Sequence, residues 1–205
     1  ATVFDTQLRI DQQLVDFQQG NRLQQLICHS PLVEADEALQ QVLLLALWAL
    51  PGRKLLRLDC HQVLSAATWQ PESGDDRQLQ LGGGLTAATQ DLVRCLNLLY
   101  QGSPSLYEQD ASHEGINVLH AAPGLYVFER LSRHAAEVVL VVVNASQNDC
   151  TALRVRPLHK GHYRILCRAG NAVLADTIDA VQPDAAGWLV LHIPACTAMI
   201  GSAEG

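Results

Sequence analysis

The chain has 205 residues, of which 48% are hydrophobic and 17% charged, a composition that allows a sizeable core and excludes global disorder. Its formal net charge is −7 and it carries no basic stripe, which argues against nucleic acid as a partner. An unbroken apolar run at residues 42–50 is too short to cross a bilayer, so we expect no membrane association.

The first part of the chain is predicted to be mainly helical. Apolar residues within 23–27 have a helical spacing. Acidic residues that follow a Ser-Pro pair at 30–31 indicate a helix start, because they suit the positive end of the helix dipole. Residues 39–50 are apolar nearly all round and predict a buried helix. A Pro-Gly pair then ends this helix, and residues 54–58 predict a short strand.

A loop and a second helix are predicted next. Residues 70–84 are rich in Gly, Pro and Asp and predict a loop. Three consecutive glycines there are not followed by the Gly-Lys-Ser/Thr of a phosphate-binding loop. Residues 86–100 predict a helix that Gly102 and Pro104 end. Its apolar stripe consists of Leu92, Val93, Leu96 and Leu99.

The chain is predicted to be β-rich from about residue 110. Short apolar segments alternate with Gly, Pro, Asn and Asp, as in a β-sandwich. Residues 138–143 are apolar on both faces and therefore predict a central strand. The predicted strands are 116–120, 125–130, 138–144, 153–157, 162–167, 188–193 and 198–200.

The cysteines and histidines give no sign of a metal site, and no cofactor is expected. None of the six cysteines forms a CxxC pair, and Cys28-His29 and Cys60-His61 lack the ligand spacing of structural zinc. Apolar surroundings indicate buried, reduced thiols and hence a cytoplasmic location. His159 and His162 flank a Lys-Gly pair without a third ligand, so we interpret them as exposed turn histidines.

Four segments in order resemble glycogen branching enzymes, within the α-amylase superfamily. LALWALPGRKLL, residues 45–56, resembles the helix and turn that lead into the last barrel strand. TQDLVRCLNLLYQGSPSLYEQD, residues 89–110, resembles the last barrel helix and its exit. LYVFERLSRHAAEVVLVVVNAS, residues 125–146, and HKGHYRILC, residues 159–167, resemble strands of the C-terminal β-domain.

The resemblance implies an α+β fold in two parts. Residues 1–107 would form a partial, degenerate C-terminal portion of a (β/α)₈ barrel, and residues 113–205 an antiparallel β-sandwich of the α-amylase type. A partial barrel leaves an open strand edge, which favours pairing with another chain. We therefore expect an upstream domain or a partner chain to cover that edge.

The resemblance also implies which carboxylates are absent. Branching enzymes cleave a glucan with two carboxyl groups, and the family carries both on earlier barrel strands. The family's third, supporting Asp would correspond to Asp11, where Ile10 replaces the family's His. Its Gly-rich loop with a Glu, after the last strand, would correspond to residues 59–62, which read DCHQ. Asp11 and Asp59 are therefore the catalytic candidates that remain.

Tryptophans are candidates for contact with an α-glucan, because aromatic faces stack on sugar rings. Trp48 lies in the apolar helix and is predicted to be a core residue. Trp69, at a loop edge, and Trp188, which follows Gly187 at a strand start, are the substrate-binding candidates.

Three functions stay open. The first is a branching-enzyme-like C-terminal region without a catalytic site, a pseudoenzyme with a structural or α-glucan-associated role in glycogen or starch metabolism. The second is the C-terminal fragment of an active 1,4-α-glucan branching enzyme whose catalytic strands lie upstream. The third is a protein-interaction module that docks through the apolar helix and the barrel edge.

Overall fold

A computed structural model describes residues 27–28, 37–51, 55–56, 86–110, 113–171 and 180–204. The α-helices in these ranges are α1 (Glu37–Ala49), α2 (Ala87–Gly102) and α3 (Pro104–Tyr107). The strands are β1 (Ile27–Cys28), β2 (Leu55–Leu56), β3 (Ile116–Ala122), β4 (Leu125–Leu131), β5 (Val138–Asn144), β6 (Cys150–Val155), β7 (Tyr163–Gly170), β8 (Ala180–Val181), β9 (Leu189–Ile193) and β10 (Thr197–Ala203). Among the helices described, none is both long and apolar enough to span a membrane.

Helix α1 is buried along nearly its whole length, as its all-round apolar sequence predicts. Strands β1 and β2 lie before and after it and pair in parallel, with Ile27 opposite Leu55. The helical spacing at residues 23–27 was therefore misleading for Ile27, which lies in a strand. A few apolar residues fit either period, and only the long-range pairing with β2 decides between them.

Helix α2 begins and ends close to its predicted bounds. The Thr86 side chain caps it by accepting a hydrogen bond from the backbone N–H of Thr89, at 3.2 Å. Leu92 and Leu96 of the predicted stripe are buried. Gly102 is the last helical residue, and the predicted stop at Pro104 is instead the first residue of α3.

Six strands form one antiparallel sheet in the order β3-β4-β5-β10-β7-β8. The predicted central strand is confirmed, because β5 lies between β4 and β10 and every one of its residues is buried. Strands β6 and β9 pair separately as a two-stranded antiparallel ribbon. The described part of the chain is thus mostly antiparallel sheet with few helices.

The sheet has a helix face and a ribbon face, because successive side chains of a strand point to opposite sides. On the helix face, Val139, Val141 and Val143 of β5 belong to the hydrophobic cluster that contains α1. On the ribbon face, Val138, Leu140 and Val142 pack in a second cluster, together with β9. The burial of both faces explains why β5 is a continuous apolar run rather than an alternating one.

Helix α1 approaches the end of β7 closely at Gly170. This residue has φ +66°, and a Cβ atom there would lie 2.2 Å from the carbonyl oxygen of Cys196 and 3.0 Å from that of Ala38. The Gln41 side-chain oxygen accepts a hydrogen bond from the Gly170 N–H at 3.2 Å. Only glycine fits both this backbone conformation and this spacing.

The predicted division into domains at residues 107 and 113 stays a prediction.

Candidate functional site

Three of the four site residues predicted from the sequence lie outside the described residues: Asp11, Asp59 and Trp69. Trp188 lies within them and is half-buried, just before β9. Trp48 is a core residue of α1, as predicted, and its indole N–H donates to the side-chain oxygen of Asn97 at 3.1 Å. The described part of the candidate site is therefore the surface around Trp188.

A hydrogen-bonded turn fixes the backbone at Trp188. The Asp184 carboxylate accepts hydrogen bonds from the backbone N–H groups of Ala186 and Trp188, both at 2.9 Å. The Asp184 N–H in turn donates to the Trp188 carbonyl oxygen at 2.7 Å. Gly187 has φ +80°, a left-handed conformation that glycine adopts without strain. These hydrogen bonds within residues 184–188 fix the backbone that carries the Trp188 ring, before β9 begins.

The ring of Trp188 carries a cation on one face. The guanidinium carbon of Arg154, in β6, lies 4.9 Å from the ring centroid. This distance is within the range of a cation–π contact. Arg154 is exposed and stands opposite Val190 in the β6–β9 register. The arrangement therefore depends on the pairing of the ribbon, not on sequence proximity.

The outer side of the ribbon forms what we call the Trp188 face, composed of Arg154, Trp188, Val190 and His192. In β9, Val190 and His192 are exposed, whereas the alternate residues Leu189, Leu191 and Ile193 are buried. Trp188 continues the exposed phase of this alternation. A flat aromatic ring beside a guanidinium with five N–H donors offers both stacking and hydrogen bonds to a polyhydroxylated ligand.

Sequence reasoning missed a buried cation, Arg130 of β4, which has no exposed surface. Its guanidinium donates to the carbonyl oxygens of Ala49 at 2.7 Å, Leu106 at 3.2 Å and Gly115 at 3.1 Å. It also forms an ion pair with Asp110 at 2.8 Å. Burial lowers the pKa of Arg130, and the hydrogen bond with Asp110 opposes that shift.

A buried acid, Glu129, was missed as well. Its carboxylate accepts hydrogen bonds from the Tyr163 hydroxyl at 2.7 Å, the Asn117 amide at 2.7 Å and the Leu158 N–H at 3.0 Å. Burial raises the pKa of Tyr163, and the hydrogen bond to Glu129 raises it further. Glu129 and Arg130 serve the packing of layers rather than chemistry, because their polar atoms are used inside the core. Two adjacent charges within the apolar segment LYVFERL are the signal that identifies them.

The described cysteines are all free thiols, as expected, but not all are buried. Cys167 and Cys196 are buried, Cys150 is half-buried and Cys95 is exposed. Within the described ranges, no three His, Cys, Asp or Glu side chains are grouped so as to hold a metal ion. His159 is half-buried, because it lies edge-on to Tyr163 and contacts the Glu204 carbonyl oxygen at 3.0 Å, whereas His162 is exposed as predicted.

No protein-family model matches the chain. It is 30% identical over 129 residues to the 1,4-alpha-glucan branching enzyme of Rhodospirillum rubrum. The aligned region covers 62% of the chain and 17% of that enzyme. It is 36% identical over 96 residues to a 1,4-alpha-glucan branching enzyme of Streptomyces avermitilis, covering 44% of the chain and 16% of that enzyme. The matched region is roughly a sixth of the length of these curated relatives.

Solved structures share the fold. An Anoxybacillus alpha-amylase superposes with a TM-score of 0.56 at 19% identity, covering 83% of the chain and 33% of that structure. The Geobacillus thermoleovorans alpha-amylase, solved with acarbose, gives 0.55 at 14% identity, covering 84% and 34%. A Nostoc punctiforme debranching enzyme gives 0.51 at 19% identity, covering 80% and 31%. The resemblance to part of a branching enzyme, predicted from the sequence, is confirmed.

Proposed function

We propose that the chain acts as a branching-enzyme-like C-terminal region that supports a barrel end and contacts α-glucan through the Trp188 face, without catalytic groups of its own. Parallel strands on either side of α1 support a barrel-end assignment for the first part. The six-stranded sheet with β6 and β9 packed on one face supports a β-sandwich for the second.

The α-glucan contact is carried by one observation, the half-buried ring of Trp188 beside the exposed guanidinium of Arg154. A sugar ring that stacks on the face of Trp188 now covered by Arg154 must displace the guanidinium. The N–H donors of the displaced guanidinium then remain near enough to bind the sugar hydroxyls. Arg154 is thus either a ligand or an obstacle, and the two roles predict opposite effects of its removal.

Co-sedimentation with glycogen tests the contact. We expect the chain to be retained on glycogen, and Trp188→Ala to weaken retention by roughly fivefold to tenfold, about 1 kcal/mol of stacking. Arg154→Ala is expected to weaken it further if the guanidinium binds hydroxyls, and to strengthen it if it only covers the ring. Leu158→Ala is the matched control, because Leu158 is an exposed apolar residue outside the ribbon strands.

Two results would remove the α-glucan role. One is retention no greater on glycogen than on cellulose, a β-linked glucan. The other is equal retention of the Trp188→Ala variant and the Leu158→Ala control. The barrel-end assignment is independent of both results, since it depends on the strand pairing around α1.

A second candidate is the C-terminal fragment of an active 1,4-α-glucan branching enzyme. It is favoured by the match to roughly a sixth of the length of the curated branching enzymes. In that case the catalytic carboxylates, and the strands that cover the edge of the β1–β2 pair, are encoded upstream. Reading the gene before Ala1 decides the question: an in-frame barrel with acidic residues at its strand ends supports the candidate, and a stop codon there contradicts it.

A further inference from the structure

Two cysteines that are 72 residues apart in the sequence meet between α2 and the sheet. The sulfur of Cys95 lies 3.8 Å from the sulfur of Cys167. Cys95 is on α2 and exposed, whereas Cys167 is on β7 and buried in the cluster on the helix face. A disulfide bond is about 2 Å long, so the two sulfurs must approach by roughly a further 2 Å to form one.

The two thiols differ in their access to solvent and therefore in reactivity. Burial raises the pKa of Cys167 to about 12, and the neighbouring Cys95 raises it too. Cys167 therefore stays protonated near neutral pH and is shielded from an oxidant in solution, because the thiolate is the reactive form. An oxidant has to react first with the exposed Cys95.

We propose that Cys95 and Cys167 are a redox modification site, at which a peroxide drives formation of a disulfide that fastens α2 to β7. In the first step the Cys95 sulfur attacks the peroxide, an S–O bond forms and the O–O bond breaks, and the released oxygen takes the Cys95 proton and leaves as water (or alcohol). In the second step the Cys167 thiol, although protonated, is held against Cys95, so it passes its proton to the sulfenic oxygen as its sulfur attacks the sulfenic sulfur of Cys95. The S–S bond forms, the S–O bond breaks, and the Cys167 proton leaves with the hydroxyl as water.

The two reaction steps balance in electrons and protons. The two thiols together lose two electrons and two protons, and the peroxide accepts them. Cys167 is the resolving thiol for Cys95 because it is already in contact with it. Of the other described cysteines, Cys196 directs its thiol to the Ser146 carbonyl oxygen at 3.6 Å, and Cys150 packs on the ribbon face, across the sheet from α2.

The disulfide would stabilise the attachment of α2 to the sheet against unfolding. In the reduced chain α2 is held to β7 at this point by packing and a weak contact between the two thiols, whereas the oxidised chain carries a covalent link that closes a long loop. Cross-linking such a loop restricts the unfolded chain. We expect Tm to rise on the order of 5–10 °C on oxidation, and to return when the bond is reduced.

The test is mass spectrometry of the whole chain after treatment with hydrogen peroxide, followed by non-reducing peptide mapping. We expect a mass about 2 Da lower, from the two hydrogens lost, a linked peptide pair containing Cys95 and Cys167, and reversal by dithiothreitol. Cys95→Ser removes the link and the rise in Tm. Cys150→Ser, a substitution on the far side of the sheet, is the matched control and leaves both unchanged.

Cys95 is exposed, so the Cys95→Ser variant is expected to fold, which circular dichroism verifies before oxidation. Three outcomes would overturn the proposal: stable oxidation of Cys95 to a sulfinic acid without a link, a link from Cys95 to any other cysteine, and a link that forms only between two copies of the chain. A Cys95–Cys167 link without a rise in Tm would overturn the fastening of α2.

Discussion

The helix face and the ribbon face of the sheet each carry one buried charge, and the two charges are neighbours in the sequence. Glu129 and Arg130 are both fully buried in β4. Because consecutive strand residues point to opposite faces, Arg130 enters the helix layer and Glu129 the ribbon layer. The same short segment therefore places a buried charge on both sides of the sheet.

The two anchors differ in what they hold. Arg130 binds backbone carbonyls from α1, α3 and the turn before β3, so one side chain joins three separate segments to the sheet. Glu129 binds Asn117 and Tyr163, which belong to the sheet itself, and the N–H of Leu158. The helix layer thus depends on a single residue more than the ribbon layer does, and four substitutions examine that difference.

The largest effect is expected from Arg130→Met. It removes the guanidinium from Asp110 and from three carbonyl oxygens, and losing a fully buried partner of an ion pair typically costs about 3–5 kcal/mol. Urea unfolding followed by circular dichroism measures the loss. Arg94→Met is the matched control, because Arg94 forms an ion pair of the same 2.8 Å length with Asp91 on the surface. The control is expected to lose no more than about 0.5 kcal/mol, and equal losses would contradict the role assigned to burial.

Gly170→Ala is expected to disturb the contact between α1 and the end of β7. The added Cβ would clash with the Cys196 carbonyl oxygen just before β10 and with Val42 of α1, and the positive φ is strained for alanine, so we expect a loss of about 2–4 kcal/mol. Gly187→Ala has the same φ problem in open space, with no atom within 4 Å, and should lose about 1 kcal/mol. Thermal unfolding of both variants gives the comparison. Equal shifts in Tm would mean that backbone strain, and not crowding by Cys196 and α1, decides the effect.

Glu129→Gln is the corresponding change on the ribbon side. The amide replaces one acceptor oxygen with a donor that faces other donors, and the expected loss is about 1–3 kcal/mol. Glu204→Gln is the control, since the Glu204 carboxylate pairs with Arg164 at 3.2 Å on the surface. The control should change stability by less than about 0.5 kcal/mol. A loss at Glu129 as large as that at Arg130 would remove the asymmetry between the layers.

Tyr163→Phe gives the smallest change at neutral pH, about 1 kcal/mol for one hydrogen bond. Its alkaline behaviour is more informative. The folded pKa of Tyr163 is raised above the ordinary value of about 10, so the unfolded chain loses this proton first. Stability should therefore fall as pH rises above 10, by up to about 1.4 kcal/mol per pH unit for this group. The Phe variant should show a shallower fall in urea titrations between pH 9 and 11; an unchanged slope would contradict the assignment.

The sequence was sufficient to predict those helices and strands that are determined by residues close together in the chain. The apolar run of β5, the all-round apolar α1 and the start of α2 near residue 86 are each recognisable within a dozen residues. It was not sufficient for Arg130, since its carbonyl partners lie 15, 24 and 81 residues away. The contact of Cys95 with Cys167 across 72 residues is unpredictable for the same reason.

The candidate site likewise contains one residue that could be predicted from the sequence and one that could not. Trp188 could be named from residue type alone, but Arg154 could not, because its place over the ring follows from the β6–β9 register. That register is irregular between Cys150 and Leu153, where Ala152 has φ +61°. No pattern in the sequence marks an irregularity of this kind at an alanine, so the cation beside the ring became visible only with the pairing.

The position of β10 has a consequence for biosynthesis. Although it follows all the other described strands in the chain, β10 lies in the middle of the sheet, hydrogen-bonded to β5 on one side and β7 on the other. As the chain leaves the ribosome, β5, which is apolar except for its last residue, has one unpaired edge until residues 197–203 emerge, and such an edge invites aggregation. A premature stop codon shortly before residue 197 would therefore split the sheet through its centre instead of trimming its margin.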